Sequence, residues 1–429
     1  MIMHKIGKEM YSLMERLFPI CRSITGNGNR KTLNIIKEHI PVEVKEVPSG
    51  TKVFDWVVPD EWNIKDAYIK NEKGDRIVDF HESNLHVVNY SIPFEGKLRL
   101  NELNKYLYSL PDQPDLIPYV TSYYKRHWGF CLSDNHRKQL KEGVYEVKID
   151  STIKPGHLTY ADLIIKGQTE KEILFSTYFC HPSMANNELS GPVVATFLAK
   201  YLLQCRNNYY TYRFVFAPET IGAITYLSKH IDYLKKKVIA GYVLSCLALS
   251  GKYSYIKSRG ENNIVDKLTE HVLEYSESDY NIYEFIDGRS DEGIYCYPGV
   301  DLPIGSLIRT LYGDYPEYHT SGDNLELISH EALQHSYEKY LQCIDILENN
   351  HTYKNKITCI PQLGKRGLWP STSKKKDDSM ISTLKIRNFL NYCDGSHDLL
   401  EISEKIKCPA WELFSIANKL MDHDLIEKL

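Results

Sequence analysis

Between residues 157 and 350, apolar runs of strand length alternate with amphipathic stretches of helix length, and this alternation constrains the fold more than any other feature. "LTYADLIIKG", "EILFSTYF", "YTYRFVFAP" and "VIAGYVLSCLAL" read as strands. "GPVVATFLAKYLLQ", "TIGAITYLSKHIDYLKK", "IVDKLTEHVLEYS" and "SHEALQHSYEKYLQCIDILEN" read as helices. Strands separated by helices of 10–15 residues imply a layered α/β sheet. Open sheets of that kind bind ligands beyond the carboxyl ends of their strands.

The rest of the chain has a different texture. "IGKEMYSLMERLF" and "KTLNIIKEHI" carry helical apolar spacing. From about 45 to 155, short β-rich runs such as "TKVFDWVVPDEW" and "LHVVNYSIPFEGKL" are separated by turn signals. The spacing predicts an α/β domain built from 1–44 and 156–350, a β-rich insertion over 45–155, a polar linker over 351–380 and a small helical unit over 381–429. The last unit has three short apolar-striped helices and resembles a winged helix-turn-helix.

The ten cysteines occur singly, without a C-x-x-C pair, so they predict buried reduced thiols and not a disulfide scaffold or zinc ribbon. A net charge of −4 gives no electrostatic footprint for nucleic acid or a membrane surface. No run reaches the length of a membrane span, and the amino terminus lacks an apolar signal core. The expectation is a cytoplasmic protein without a membrane partner.

Several polar residues fall where strands end. His181 follows "EILFSTYF", and Asn187 and Glu188 occupy the turn before the next helix. Glu219 follows "YRFVFAP" at the opening of a helix, where a carboxylate either caps the helix or serves as a general base. His319 and Asp323 lie in "YPEYHTSGDN", and Asp291 and Glu292 in "DGRSDEGIY". Each alone reads equally as a cap or a solvated turn.

Their order along the chain resembles that of the co-catalytic zinc aminopeptidases. More specifically, "PSGTKVFDWVVPDEWNI", "IPYVTSYYKRHWGFCLS", "CHPSMANNELSG", "APETIG", "PIGSLIRT", "YHTSGDN" and "PQLGKRGLWP" resemble a bacterial family of aminopeptidase-like proteins. That family carries an inserted β domain and a C-terminal winged helix, and is associated with polysaccharide biosynthesis. The resemblance implies a zinc-exopeptidase-like α/β/α sheet over 1–44 and 156–350. It also implies His181 and His319 as metal ligands, Glu219 as general base, and Asn187 at the place of a bridging Asp. Thr220 stands where a second ligand Glu belongs, and Ser245 or Cys246 where another ligand Asp belongs.

Two close dications need carboxylates between and around them, so the loss of three anionic positions argues for one zinc ion and against two. Glu188 is the candidate third ligand if the loop shifts register, with Asp291 in reserve. Asp291, Glu292 or Asp323 would hold a substrate's α-ammonium. The function this implies is a zinc-dependent aminopeptidase acting on a peptide-like substrate, cell-wall or saccharide-linked in keeping with the family's associations. The alternative is a degenerate, non-hydrolytic fold that binds or scaffolds.

Residues 382–429 hold six Lys or Arg against eight Asp or Glu, a poor balance for neutralising phosphates. The winged helix is therefore expected to meet protein and not DNA, and a homo-oligomer is compatible with this. Three lysines at 374–376 are followed at once by Asp377 and Asp378. In "YVTSYYKRHWGF" aromatics mix with Lys125, Arg126 and His127, which reads as either an amphipathic strand or an aromatic, cationic rim to the cleft.

Overall fold

Glu172–Tyr178 and Thr211–Ala217 are buried along their whole length, the condition for parallel strands covered on both faces. In the computed structural model, which describes residues 3–260, 262–288, 290–369 and 378–429, they lie at the middle of an eight-stranded sheet. The order across it is Glu43–Pro48, His157–Ile165, Thr211–Ala217, Glu172–Tyr178, Val238–Leu244, Ile304–Ile308, Tyr253–Ile256 and Tyr280–Tyr283. Glu172–Tyr178 pairs in parallel with Thr211–Ala217 on one side and Val238–Leu244 on the other. The chain therefore steps from the central strand first one way and then the other. That reversal opens a crevice at the carboxyl ends of these strands, where His181 and Glu219 emerge.

Alternation of side chains gives each face its own core. Leu174, Val215 and Val243 join Ile221, Ala223 and Leu227 of the helix Ile221–Lys237 in one cluster. On the opposite face Phe175 lies 5.1 Å from Phe214 and 5.9 Å from Tyr242, centroid to centroid. The helix Ser190–Gln204 joins the first of these parallel strands to the next. Among the described residues, no helix is long and apolar enough to cross a membrane.

The insertion builds a four-stranded antiparallel sheet in the order Arg76–Asp79, Glu61–Lys70, Val144–Lys154, Phe94–Arg99. Its own core centres on Trp128, stacked between Phe94 at 3.9 Å and Tyr106 at 4.0 Å. One boundary differs from the sequence reading. Glu43–Pro48 pairs antiparallel with His157–Ile165 and so belongs to the large sheet, because the strands entering and leaving the insertion pair with each other before it begins. Arg30 fixes this root, donating to both oxygens of Glu61 at 2.9 and 2.6 Å and to Glu46 at 2.6 Å.

The chain forms two compact units, one running to Asp266 with Asp279–Glu338, the other comprising Lys267–Ser278 and Lys339–Leu429. Within the second, helices Asp378–Tyr392, Leu399–Ile406 and Ala410–Asp422 accompany a three-stranded antiparallel sheet. Thr352–Asn355 is the middle strand, between Asp394–Asp398 and Ile426–Lys428. The stretch read as linker over 351–380 therefore opens with a strand. Its four residues are too few to show a period, and only pairing with distant strands makes them extended. Residues 370–377, with the three lysines, lie outside the described residues.

Asp398 caps Leu399–Ile406 by accepting from the Glu401 amide at 2.8 Å. At the start of Ala410–Asp422, the Ala410 amide donates to Nε2 of the buried His271 at 2.9 Å. Burial holds that imidazole down to about 4, and a ring nitrogen that accepts cannot carry a proton. A histidine with a depressed folded-state pKa contributes stability that is complete above the unfolded value near 6.5 and is lost as pH falls towards 4. The second unit's melting temperature is expected to drop across that window, by the equivalent of roughly 2 kcal/mol. Differential scanning calorimetry of His271→Gln should show the acid-dependent part of the drop removed.

Candidate metal and catalytic site

The turn after Glu172–Tyr178 carries the first site residues. His181 is buried, and its ring is held from one side by Glu188, whose Oε2 lies 2.7 Å from Nδ1. The other oxygen, Oε1, accepts the backbone amide of His181 at 2.8 Å. Glu188 is fully buried, and both its oxygens serve the same histidine. Burial works against charge on His181, yet Glu188 outweighs it and holds the imidazole well above its usual value.

On its far side the ring presents Nε2 to Glu219, whose Oε2 is 3.7 Å away. Glu219 follows Thr211–Ala217 and is about a quarter exposed. Its Oε1 accepts the Ser290 hydroxyl at 2.7 Å, and its amide donates to Cys180 Sγ at 3.3 Å. Burial, followed by the charges of Glu188 and Glu292, raises its carboxyl. Burial also pushes the Cys180 thiol up to about 12, so it stays a neutral thiol.

A π-type turn over Ala185–Leu189 precedes the helix Ser190–Gln204, a device common at functional sites. Its free amides are taken by Asp323: Asn186 donates to Oδ1 at 2.6 Å and Asn187 to Oδ2 at 2.9 Å. Tyr315 adds its hydroxyl at 3.1 Å. Asn187 turns its Nδ2 to the Tyr178 hydroxyl at 3.3 Å, and its buried Oδ1 has no hydrogen-bond partner among the described residues.

His319 approaches from a distant loop, its ring centroid 5.2 Å from that of His181. Its φ of 55° is left-handed, and it stacks on Tyr318 at 4.0 Å. Burial and the neighbouring His181 hold it down to about 3. The insertion fixes this loop: the Tyr119 amide donates to the His319 carbonyl at 2.8 Å, and the Ser321 amide to Ile117. The Tyr119 ring then lies 4.9 Å from His181 and 5.3 Å from His319, with its hydroxyl bonded to that of Tyr123. Of the stretch read as a possible rim, Tyr119 and Tyr123 reach the site, whereas Tyr124, Lys125 and Arg126 are exposed.

The structure thus brings together His181, Asn187, Glu188, Glu219 and His319, with Asp291 beside them. Asp291 accepts the Thr220 amide at 2.8 Å, and burial and Glu219 hold its carboxyl well above the usual range. Two candidates for an α-ammonium are committed elsewhere. Asp323 caps the turn, as described. Glu292 is fully buried and accepts from the Ser290 amide at 3.0 Å, Ser306 at 3.1 Å and Tyr312 at 3.3 Å. Glu188, read as a third ligand, lies with Cys180 on the Nδ1 side of His181, its Oε2 2.7 Å from that nitrogen and the three donor atoms within 4.8 Å of one another.

Arg22 escaped the sequence reading. Its guanidinium is fully buried, donates to the His181 carbonyl at 3.1 Å and the Leu17 carbonyl at 2.7 Å, and feels the Glu188 charge. "PICRSITG" offers no local signal for this, since the His181 carbonyl lies 159 residues on in sequence.

Among the described residues, two groups of three bring ligating atoms within 4.8 Å of one another: Cys180, His181 and Glu188 here, and Asp66, Asp79 and His81 in the insertion, where Arg76 already bridges the two aspartates. Cys180, His181 and Glu188 cluster on the Nδ1 side, but there Glu188 already engages the ring and the thiol is neutral and accepts the Glu219 amide. On the Nε2 side, the His181 ring faces Glu219 Oε2 at 3.7 Å. His319, its ring centroid 5.2 Å from that of His181, and the unpaired Asn187 oxygen are the further donors beside it, but among the described residues no third histidine, cysteine or carboxylate atom joins His181 and Glu219 within 4.8 Å, so holding one ion there requires these side chains to draw in.

The sheet, the inserted β domain and this crevice define an aminopeptidase-like fold joined to a winged helix. The chain belongs to the family whose model, described as a domain of unknown function (DUF4910), matches residues 11–350, and a winged helix-turn-helix model matches 351–428. A Clostridium acetobutylicum protein named for polysaccharide biosynthesis and an aminopeptidase-like domain is 48% identical over 400 residues, covering 93% of this chain and 91% of that one. A crystal structure from the same organism, of a protein described as a peptidase, superposes with a TM-score of 0.94 at 45% identity, covering 100% of this chain and 97% of that one. The zinc aminopeptidase of Bacillus subtilis shares the fold, with a TM-score of 0.56 at 14% identity over 80% of this chain and 94% of that one.

Breaking a buried charge arrangement by removing one partner costs about 3 kcal/mol or more. Arg22→Leu is expected to lose that much in urea unfolding. Arg22→Lys should recover only part, because one ammonium cannot reach both carbonyls.

Proposed function

We propose that the protein is a metal-dependent hydrolase of the aminopeptidase type, releasing the amino-terminal residue of a peptide-like substrate with one zinc ion. The observation that carries this reading is the two-sided arrangement of His181: Nδ1 fixed on buried Glu188, Nε2 turned towards half-buried Glu219. His181, His319 and the Asn187 carbonyl oxygen would hold the ion. Zinc, when bound, supplies a Lewis acid that polarises a carbonyl and acidifies water.

The protein's own groups do the rest. Glu188 keeps the His181 ring in one orientation and tautomer. Glu219, its Oε1 anchored by Ser290, takes a proton from water at Oε2 and returns it to the leaving amine. Tyr119 and Tyr123 cover the histidines and limit water to the open side. Glu219 and Asp291, whose carboxyls are raised by burial and by neighbouring acidic charge, would ionise more readily beside a cation, which suits a substrate's α-ammonium. The relative's name makes a saccharide-linked or cell-wall peptide the substrate class to try first, and the winged helix is proposed to dock a protein partner.

A second reading is favoured by particular residues. Thr220, Ser245 and Cys246 offer no charge where anionic ligands would stand, and the buried Ser245 hydroxyl has neutral Cys246 and Tyr312 as its neighbours. These would suit a fold that binds an amine without hydrolysing it.

Zinc per chain, measured by mass spectrometry after dialysis against zinc, tests both. About one ion is expected in the wild type, none in His181→Ala, and binding at least about tenfold tighter in Asn187→Asp, where a carboxylate replaces a neutral oxygen. Glu219→Gln should keep the ion and slow release of amino-terminal residues by about 100-fold or more. Equal zinc in wild type and His181→Ala would sink the site. Bound zinc with no peptide cleavage would favour the second reading.

A further inference from the structure

A cavity of ≈ 600 Å³ has Thr220, the residue after Glu219, on its wall. Ile224, Leu227 and Ile231 of the helix Ile221–Lys237 and Ile294 make its apolar lining. Phe54, Trp56 and Tyr297 form an aromatic rim, exposed by 49, 37 and 64%. The insertion contributes Phe54 and Trp56 through a two-residue hairpin, Lys52–Val53 paired with Trp56–Val57, anchored by buried Val53 and Val58 in the same core as Ile221 and Leu227.

Phe54 sits at the first central position of that turn with φ 55°. Glycine, asparagine or aspartate is the ordinary choice there, and a bulky side chain is strained. An exposed phenylalanine in such a place gains nothing for folding, and strain of this kind is retained at ligand sites. Thr220, on the opposite wall, has φ 61° as well.

We propose that this cavity receives the aromatic or long aliphatic side chain of the substrate's amino-terminal residue. Beyond the aromatic rim only Asp55 and Thr220 bring polar side chains to it, too few to read the hydroxyls of a sugar ring. Glu219 and Asp291 lie at its Thr220 side, so an ammonium held there and a side chain in the cavity belong to one residue. Which residue of a substrate this is rests on the hydrolase reading. The pocket itself does not need turnover.

Non-hydrolysable amino alcohols separate the two. Isothermal titration of the zinc-supplied full-length chain is expected to give at least about tenfold tighter binding of L-phenylalaninol than of 2-aminoethanol. That preference should fall about fivefold or more in Phe54→Gly, which leaves the turn relaxed and the fold intact, and vanish in Ile224→Trp, which fills the cavity. Equal binding of both alcohols by the wild type, or a preference unchanged in Phe54→Gly, overturns the proposal. If the preference holds but no phenylalanyl peptide is cleaved, the hydrolase reading falls and the pocket stands. If phenylalanyl and glycyl peptides are cleaved equally well, the pocket falls and the hydrolase reading stands.

Discussion

Glu188 is a carboxylate with no access to water, and much of the site is arranged around the need to satisfy it. An isolated buried charge costs several kcal/mol, so partners must come from wherever the fold can supply them. They come from the His181 amide and ring seven residues before it, and from Arg22, far off in sequence, just past the first helix, Met3–Leu17. The guanidinium is tied in turn to the His181 and Leu17 carbonyls. The first helix, the central strand's exit and the π-type turn are thereby locked together. The ring that results can offer only Nε2 to the crevice.

The same logic extends outward. Helix amides with no partner inside the turn would be costly to bury, and Asp323 takes two of them from over 130 residues away in sequence. That tie brings its loop, and with it His319, to the crevice. The insertion closes the loop's other side through backbone pairing at Tyr119 and Ile117, which sets the left-handed conformation of His319. A β domain that could have been a mere appendage is therefore part of the site's scaffold. It fixes the second histidine and, through its hairpin at Phe54, supplies the rim of the neighbouring cavity.

Acidic groups outnumber basic ones where these segments meet. Glu188, Glu219, Asp291 and Glu292 influence one another, with His181 acting on Glu219 and Arg22 on Glu188 as opposing positive charge. Such a crevice favours positive charge, whether a metal ion or an amine. Asn187, with its unpaired oxygen, limits how much of that charge a metal can bring.

The alternation of strand and helix between 157 and 350 was enough to specify a layered α/β sheet, because the two periods differ and each buries one kind of face. It also placed His181 and Glu219 at neighbouring strand ends, since the crevice follows from strand direction. The short strands Tyr253–Ile256, Tyr280–Tyr283 and Thr352–Asn355 were not legible: four residues carry too little pattern, and only their partners hold them extended. Residue identity marked Glu188, Glu292 and Asp323 as candidate ligands or ammonium binders. Tertiary structure decided that Glu188 lies against His181, Asp323 caps a turn and Glu292 is spent on Ser290, Ser306 and Tyr312. A carboxylate's role is set by which donors reach it first, and those donors lie far apart in the chain.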